Sequence, residues 1–182
     1  KTAGIIGTGK IARILIRILQ GFGMKVVAYD LYPDEKYARE VGISYVSLDG
    51  LYAQADMISL HVPLTDQTKN MIDAQSIAKM KEGTIIINTS RGQLIHTNAL
   101  IEGLKSKKIA AAGLDVYGAL LAADGLAESI VGTAARLLSF NNVIVTSHQG
   151  FFTREAMHNI AETTLQNIQD FIDGKTLVNE VS

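Results

Sequence analysis

Six short apolar runs, rich in β-branched residues, alternate along the chain with segments of helical spacing. They are Ala3 to Ile6, Val26 to Tyr29, Met57 to Leu60, Thr84 to Ile87, Ala110 to Leu114 and Val143 to Thr146. The runs are continuously apolar rather than alternating, so both faces of the sheet they form must be covered. Between them, Ile11, Ile14, Leu15, Ile18 and Leu19 recur at helical spacing behind Gly9, and Leu100, Ile101 and Leu104 do so behind Thr97-Asn98. Strand then helix, repeated, predicts an α/β fold: a doubly wound parallel sheet with right-handed crossovers and helices on both faces. With 182 residues, two prolines and no Ser/Gly-rich linker, residues 1–182 read as a single domain.

Gly7-Thr8-Gly9-Lys10-Ile11-Ala12 follows the first strand and opens the first helix. In that context a glycine pattern marks a dinucleotide site, and the predicted sheet becomes Rossmann-type. The first glycine permits a tight turn and the second lets a pyrophosphate approach the backbone. The helix N-terminus then offers unpaired N–H groups to the phosphates, and Ala12 meets the need for close packing of helix on strand. Asp30 ends the second strand 18 residues beyond Ala12, the spacing expected of a carboxylate that accepts hydrogen bonds from an adenosine ribose. A 2′-phosphate would meet a like charge there. Leu31-Tyr32-Pro33 carries no arginine to offset it, so the motif favours NAD over NADP.

Composition removes other classes of function. The net charge is −1 and no Lys/Arg run follows a phosphate backbone, so no nucleic-acid partner is expected. The absence of cysteine excludes disulfides, thiolate chemistry and zinc-thiolate sites. His96 and His148 have no third ligand in the sequence pattern, and no metal is expected. Each apolar stretch is cut by Asp, Lys, Arg or Gly before the roughly 18 to 20 residues of a membrane span. Thr8-Gly9-Lys10 likewise interrupts the first run short of signal-peptide length, leaving cytoplasm as the default compartment. A chain that opens on its first strand without an initiator methionine reads as a fragment.

The runs GIIGTGKIA, GFGMKVVAYD, ISLHVPLT, INTSRG, AAGLDVY and NNVIVTSHQGFFT occur in this order and cover nearly the whole chain. On them the chain resembles the NAD-binding domain of the D-2-hydroxyacid dehydrogenase family, and within it most resembles the D-lactate dehydrogenases. The resemblance implies NAD as cofactor and hydride transfer between NADH and pyruvate. It implies that Arg91 binds the substrate carboxylate, that His148 is the acid/base, and that Asp115 holds the nicotinamide carboxamide. Gly7, Gly9, Lys10, Ile11, Asp30, Thr89 and the loop His61-Val62-Pro63 become cofactor contacts. Reducing a 2-oxo acid needs a cation to orient its carboxylate and a proton donor near neutral pH, which guanidinium and imidazolium supply. By itself His61 reads as a loop histidine and His158 as a surface helix residue.

Three features depart from the family pattern. Gly118 stands where a glutamate is expected three residues after the GLDV aspartate; that glutamate would hydrogen-bond the histidine ring and fix its tautomer, and glycine does neither. His96 replaces a usual aspartate. Gly118 to Ala135 is an Ala/Gly/Leu-rich segment whose Leu126, Ile130 and Val131 form a helical stripe in need of cover. The family's substrate-binding domain is absent from these residues. The preferred reading is an NAD(H)-binding domain without significant catalysis on its own. The alternatives are an active dehydrogenase, or an engineered scaffold or interaction module that takes a hetero-partner or a second copy through residues 118–135.

Overall fold

The structure, a computed structural model, describes residues 1–116 and 135–180. Gly118 and the stripe of Leu126, Ile130 and Val131 lie outside the described residues. Two compact units emerge, Lys1–Ser147 and His148–Ser182.

In the first unit, seven parallel strands form one sheet in the order β3-β2-β1-β4-β5-β6-β7. They are β1 (Thr2–Ile6), β2 (Lys25–Tyr29), β3 (Ser44–Tyr45), β4 (Met57–Leu60), β5 (Thr84–Asn88), β6 (Ile109–Leu114) and β7 (Val143–Val145). The connecting helices are α1 (Lys10–Gly21), α2 (Glu35–Val41), α3 (Leu48–Gln54), α4 (Ala74–Lys79) and α5 (Thr97–Lys105). This is the doubly wound, Rossmann-type sheet that the strand and helix pattern predicts. β3 was not expected, because two residues at a sheet edge carry no periodicity to read.

The continuous apolar strands are explained by two cores, one on each face. Along β1 and β2, Ala3, Ile5, Val26 and Ala28 join Ala12, Ile16 and Leu19 of α1 and Tyr37 and Ala38 of α2. Ile6 and Val27 point the other way, into a cluster with Leu51 and Tyr52 of α3, Ile77 of α4 and Leu100, Ile101 and Leu104 of α5. The helical stripe expected on α1 is corrected here. Ile11, Ile14 and Ile18 are 72%, 64% and 50% exposed, while Ala12, Ile16 and Leu19 face the sheet. The small Ala12 methyl lets the helix approach the strands closely, which turns that face inward.

Register sets the site. Tyr29, Ile6, Leu60, Asn88, Leu114 and Val145 pair across neighbouring strands as one level row. The next residues along each strand are therefore Asp30, Gly7, His61, Thr89, Asp115 and Thr146, at the carboxyl edge of the sheet. The chain reverses its winding between β1 and β4, the switch point where open α/β sheets hold ligands. The second unit is built around α6 (Arg154–Ile172), whose first turn is capped by Thr153 Oγ1 accepting from Ala156 N at 3.1 Å.

Candidate functional site

Gly7 and Gly9 hold different jobs in the loop after β1. Gly7 has φ +90°, and a Cβ there would sit 2.7 Å from the His61 carbonyl oxygen and 2.9 Å from Val62 Cγ1. Only glycine fits that seam. Gly7 N donates to Tyr29 O at 2.8 Å and His61 N to Ile6 O at 2.7 Å, tying the ends of β1, β2 and β4 together. Gly9 is the N-cap of the 12-residue α1, and a Cβ built on it meets nothing within 4 Å. Open space over the N–H groups of a long helix fits a pyrophosphate held against the backbone.

That space continues into a cleft of about 390 Å³ lined by Gly9, Lys10, Ile11, Ala12, His61, Thr89, Ser90 and Arg91. Six of the cofactor and catalytic candidates of the sequence, Gly9, Lys10, Ile11, His61, Thr89 and Arg91, thus meet in one place. Two larger hollows, of about 820 Å³ along α6 and about 950 Å³ between α4 and α5, contain none of those cofactor or catalytic candidates.

Asp30 lies beside the loop and is densely bonded. Its Oδ2 accepts from Thr8 N and Thr8 Oγ1, both at 2.7 Å, and its Oδ1 accepts from Tyr32 N at 3.0 Å. Burial by itself would raise the carboxyl's pKa. The hydrogen bonds from Tyr32 and Thr8 and the charge of Arg13 together outweigh that and hold it below the usual carboxylate value. An arginine does reach this corner, from α1 rather than from Leu31-Tyr32-Pro33. Arg13 is already engaged: Nε donates to Thr8 O at 3.0 Å, Nη2 pairs with Asp34 Oδ2 at 2.8 Å, and the guanidinium lies 4.1 Å from the Tyr37 ring centroid. Thr8, Arg13 and Tyr45 went unread in the sequence, since their partners are brought in by the fold.

Across the cleft, Ser90 Oγ donates to Val62 O at 2.6 Å, joining the loop after β5 to that after β4. Val62 therefore belongs to the seam, and Pro63 lies beyond it with its carbonyl accepting from Thr68 Oγ1 at 2.7 Å. Beneath is Asn88, fully buried, another residue the sequence reading passed over. Its Oδ1 accepts from Ser90 N at 3.0 Å, its Nδ2 donates to Arg91 O at 2.8 Å, and its backbone O accepts from Asp115 N at 2.9 Å. The amide thus shapes the Thr89–Arg91 turn and sets Asp115 beside it; an Asn closing an apolar strand was its only signal. Arg91 is exposed, and Nη1 donates to the neighbouring Ser90 O at 2.9 Å. His61 Nε2 lies 2.9 Å from Oγ of the fully buried Ser59, and burial pushes the imidazole's pKa down.

Residues 1–150 match the family described as D-isomer specific 2-hydroxyacid dehydrogenase, NAD binding domain. The chain belongs to this family. NAD is its cofactor, and the open space at Gly9 fits it. The chain is 45% identical over 185 residues to a D-lactate dehydrogenase of Escherichia coli K12, covering 100% of this chain and 56% of that protein. It is 50% identical over 175 residues to an aromatic 2-oxoacid reductase of Clostridium sporogenes, covering 93% and 52%. A D-lactate dehydrogenase from Lactobacillus jensenii, solved with NAD+, superposes with a TM-score of 0.89 at 35% identity, over 100% of this chain and 56% of that one. The chain spans about half the length of these relatives.

The remaining candidates of the NAD-binding domain fall outside the cleft lining. Asp115 Oδ1 accepts a short hydrogen bond from Thr146 Oγ1, linking the ends of β6 and β7. His148 opens the second unit with a left-handed backbone, φ 55°, a conformation that costs a non-glycine residue free energy. His96 is not part of the site. It is the N-cap of α5, Nδ1 accepting from Ala99 N at 3.3 Å, and it lines the hollow between α4 and α5. The aspartate expected there would make the same cap, so this departure changes which side chain caps α5. His158 pairs with Glu162 one turn along α6, at 3.0 Å. Among the described residues, no three His, Cys, Asp or Glu side chains converge to hold a metal, and no helix is long and apolar enough to cross a membrane.

Proposed function

We propose that this chain is the cofactor-holding half of a D-2-hydroxyacid dehydrogenase of the D-lactate type, and that on its own it binds NAD(H) while turning pyruvate over negligibly. The observation that supports this most is the convergence of Gly9, His61, Thr89 and Arg91 on one cleft at the N-terminus of α1. The bound nicotinamide supplies or takes up a hydride. The N–H groups of Gly9 to Ile11 meet the pyrophosphate, Asp30 accepts from the adenosine ribose, and Asp115 accepts from the carboxamide. Arg91 turns a spare pair of N–H donors to the carboxylate of a 2-oxo acid, and His148 delivers a proton to its carbonyl oxygen as that oxygen becomes a hydroxyl. With Gly118 in place of a glutamate, no carboxylate at that position orients the His148 ring. The reading of residues 118–135 as a docking surface for a partner or a second copy rests on their apolar sequence alone.

Calorimetric titration tests this reading. NAD+ should saturate the 182-residue chain with micromolar to millimolar affinity, and Asp30→Ala should weaken it about tenfold or more. Absence of saturation at several millimolar, a preference for NADP+, or pyruvate reduction at several per second would each overturn it.

A further inference from the structure

Asp30 offers a ribose less than its two oxygens suggest. A carboxylate has about four lone-pair positions. Both on Oδ2 are taken, by Thr8 N and Thr8 Oγ1, and one on Oδ1 is taken by Tyr32 N. The Thr8 hydroxyl has a single proton, and an ionised carboxylate only accepts, so that proton lies on Asp30. Thr8 Oγ1 must then accept from its other neighbour, the Tyr45 hydroxyl at 2.9 Å. The direction of the chain is thereby fixed: Tyr45 to Thr8 to Asp30. Tyr45 reaches Thr8 from β3, whose register beside β2 pairs Tyr45 with Ala28.

We propose that Tyr45 is a positioning residue for cofactor selection: by donating to Thr8 Oγ1 it aligns and strengthens the hydrogen bond that Thr8 gives Asp30 Oδ2, which leaves the open position on Oδ1 to one ribose hydroxyl. This rests on the reading of Asp30 as the ribose acceptor. A carboxylate pinned by three donors cannot swing away from an incoming 2′-phosphate, so the like-charge penalty against NADP+ is kept in full. Without the Tyr45 donor, the Thr8 hydroxyl loses the partner that aligns and polarises it, its restraint on Asp30 weakens, and the penalty softens. The charged group acting on Asp30 is Arg13 of α1, itself paired with Asp34 of the segment before α2, and neither is altered by changes at position 45.

The test is Tyr45→Phe, which keeps the ring that packs on the α1 and α2 core and deletes only the hydroxyl. At one pH near neutral, the ratio of NADP+ to NAD+ dissociation constants should fall about fivefold, the scale of one hydrogen bond to a charged group. The Asp30 carboxyl, followed by carbon NMR without any cofactor, should titrate at higher pH than in the wild type. Thr8→Val should act likewise and Thr8→Ser, which retains the hydroxyl, should restore the ratio. If Tyr45→Phe leaves ratio and titration unchanged, or weakens both cofactors equally, the proposal is overturned. Failure of both Tyr45→Phe and Thr8→Val to fold would mark a structural role and overturn it too. The ribose reading falls separately if Asp30→Ala retains wild-type NAD+ affinity, whatever Tyr45 does.

Discussion

Beside β1 and β2 the polar groups next to the glycine loop bond one another, whereas beside β5 and β6 the Arg91 side chain is exposed and the bonding lies beneath it. Three of the acceptor positions on Asp30 are taken by Thr8 and Tyr32, and Thr8 is held in turn by Tyr45 and Arg13. Among the described residues the Arg91 guanidinium makes one hydrogen bond, to the carbonyl of its own neighbour, while buried Asn88 holds the turn that carries it. The contrast suits the ligands proposed for the two ends. A site for a neutral ribose gains from donors and acceptors fixed in advance, since less ordering is left to binding. A guanidinium that waits for a carboxylate must keep donors unspent. One end is ordered through side chains, the other through backbone.

The largest effect should separate the two glycines at the ordered end. Gly7→Ala places a methyl 2.7 Å from the His61 carbonyl in a left-handed backbone. It should cost about 2–5 kcal/mol, the sum of overpacking and backbone strain, out of a domain stability of ~5–15 kcal/mol. Gly9→Ala meets open space, so its cost should stay under about 1 kcal/mol while NAD+ affinity falls roughly tenfold or more. Urea unfolding and calorimetry read the two quantities. Equal destabilisation by both substitutions would break the distinction between the packed glycine and the vacant one.

Next is Asn88→Ala, which removes the amide acceptor from Ser90 N and the amide donor from Arg91 O in a fully buried place. The loss should be about 2–3 kcal/mol. It should also be local, with hydrogen exchange speeding up over Thr89 to Arg91 while the Thr8 amide, bonded to Asp30, keeps its protection. Faster exchange at Thr8 as well would show that the two ends are ordered as one unit and erase the comparison.

Much of this arrangement was legible in the sequence because it sits at strand ends, and strand ends are where apolar runs stop. Asp30, His61 and Asp115 follow such a run directly and Thr89 follows one after a single Asn, and parallel register then sets them in one row. The glycine motif was legible for the same reason, lying between a run and a helical pattern. What periodicity cannot report is orientation and partnership. The isoleucines of α1 satisfy helical spacing on either face, and the close approach through Ala12 decides which face turns in. Tyr45 and Thr8 are 37 residues apart and meet through the pairing of a two-residue edge strand. His96 departs from the family pattern, and in a sequence a cap and a ligand are the same kind of polar exception; only the helix beginning behind it tells them apart.

The smallest effect should come from the seam between the two ends, where His61 contributes its carbonyl to the Gly7 contact and its ring to the cleft. Burial lowers the pKa of the imidazole, whose Nε2 faces the buried Ser59 hydroxyl. In the unfolded chain the ring titrates near its ordinary value of about 6.5. The folded state therefore binds fewer protons than the unfolded state as pH falls through that range, and stability must fall with it. The contribution is whole above about pH 6.5 and is lost as pH drops through the folded value. His61→Gln has no ring to protonate, so its unfolding free energy should decline less than that of the wild type between pH 7 and pH 5. Groups common to both proteins cancel in that difference. The effect should be smaller than that of Gly7→Ala or Asn88→Ala, because the seam is only partly closed and water reaches the ring from the cleft side. Parallel pH curves for wild type and His61→Gln would mean that the imidazole is as well hydrated folded as unfolded, and that the cleft between its two ends is wet to its floor.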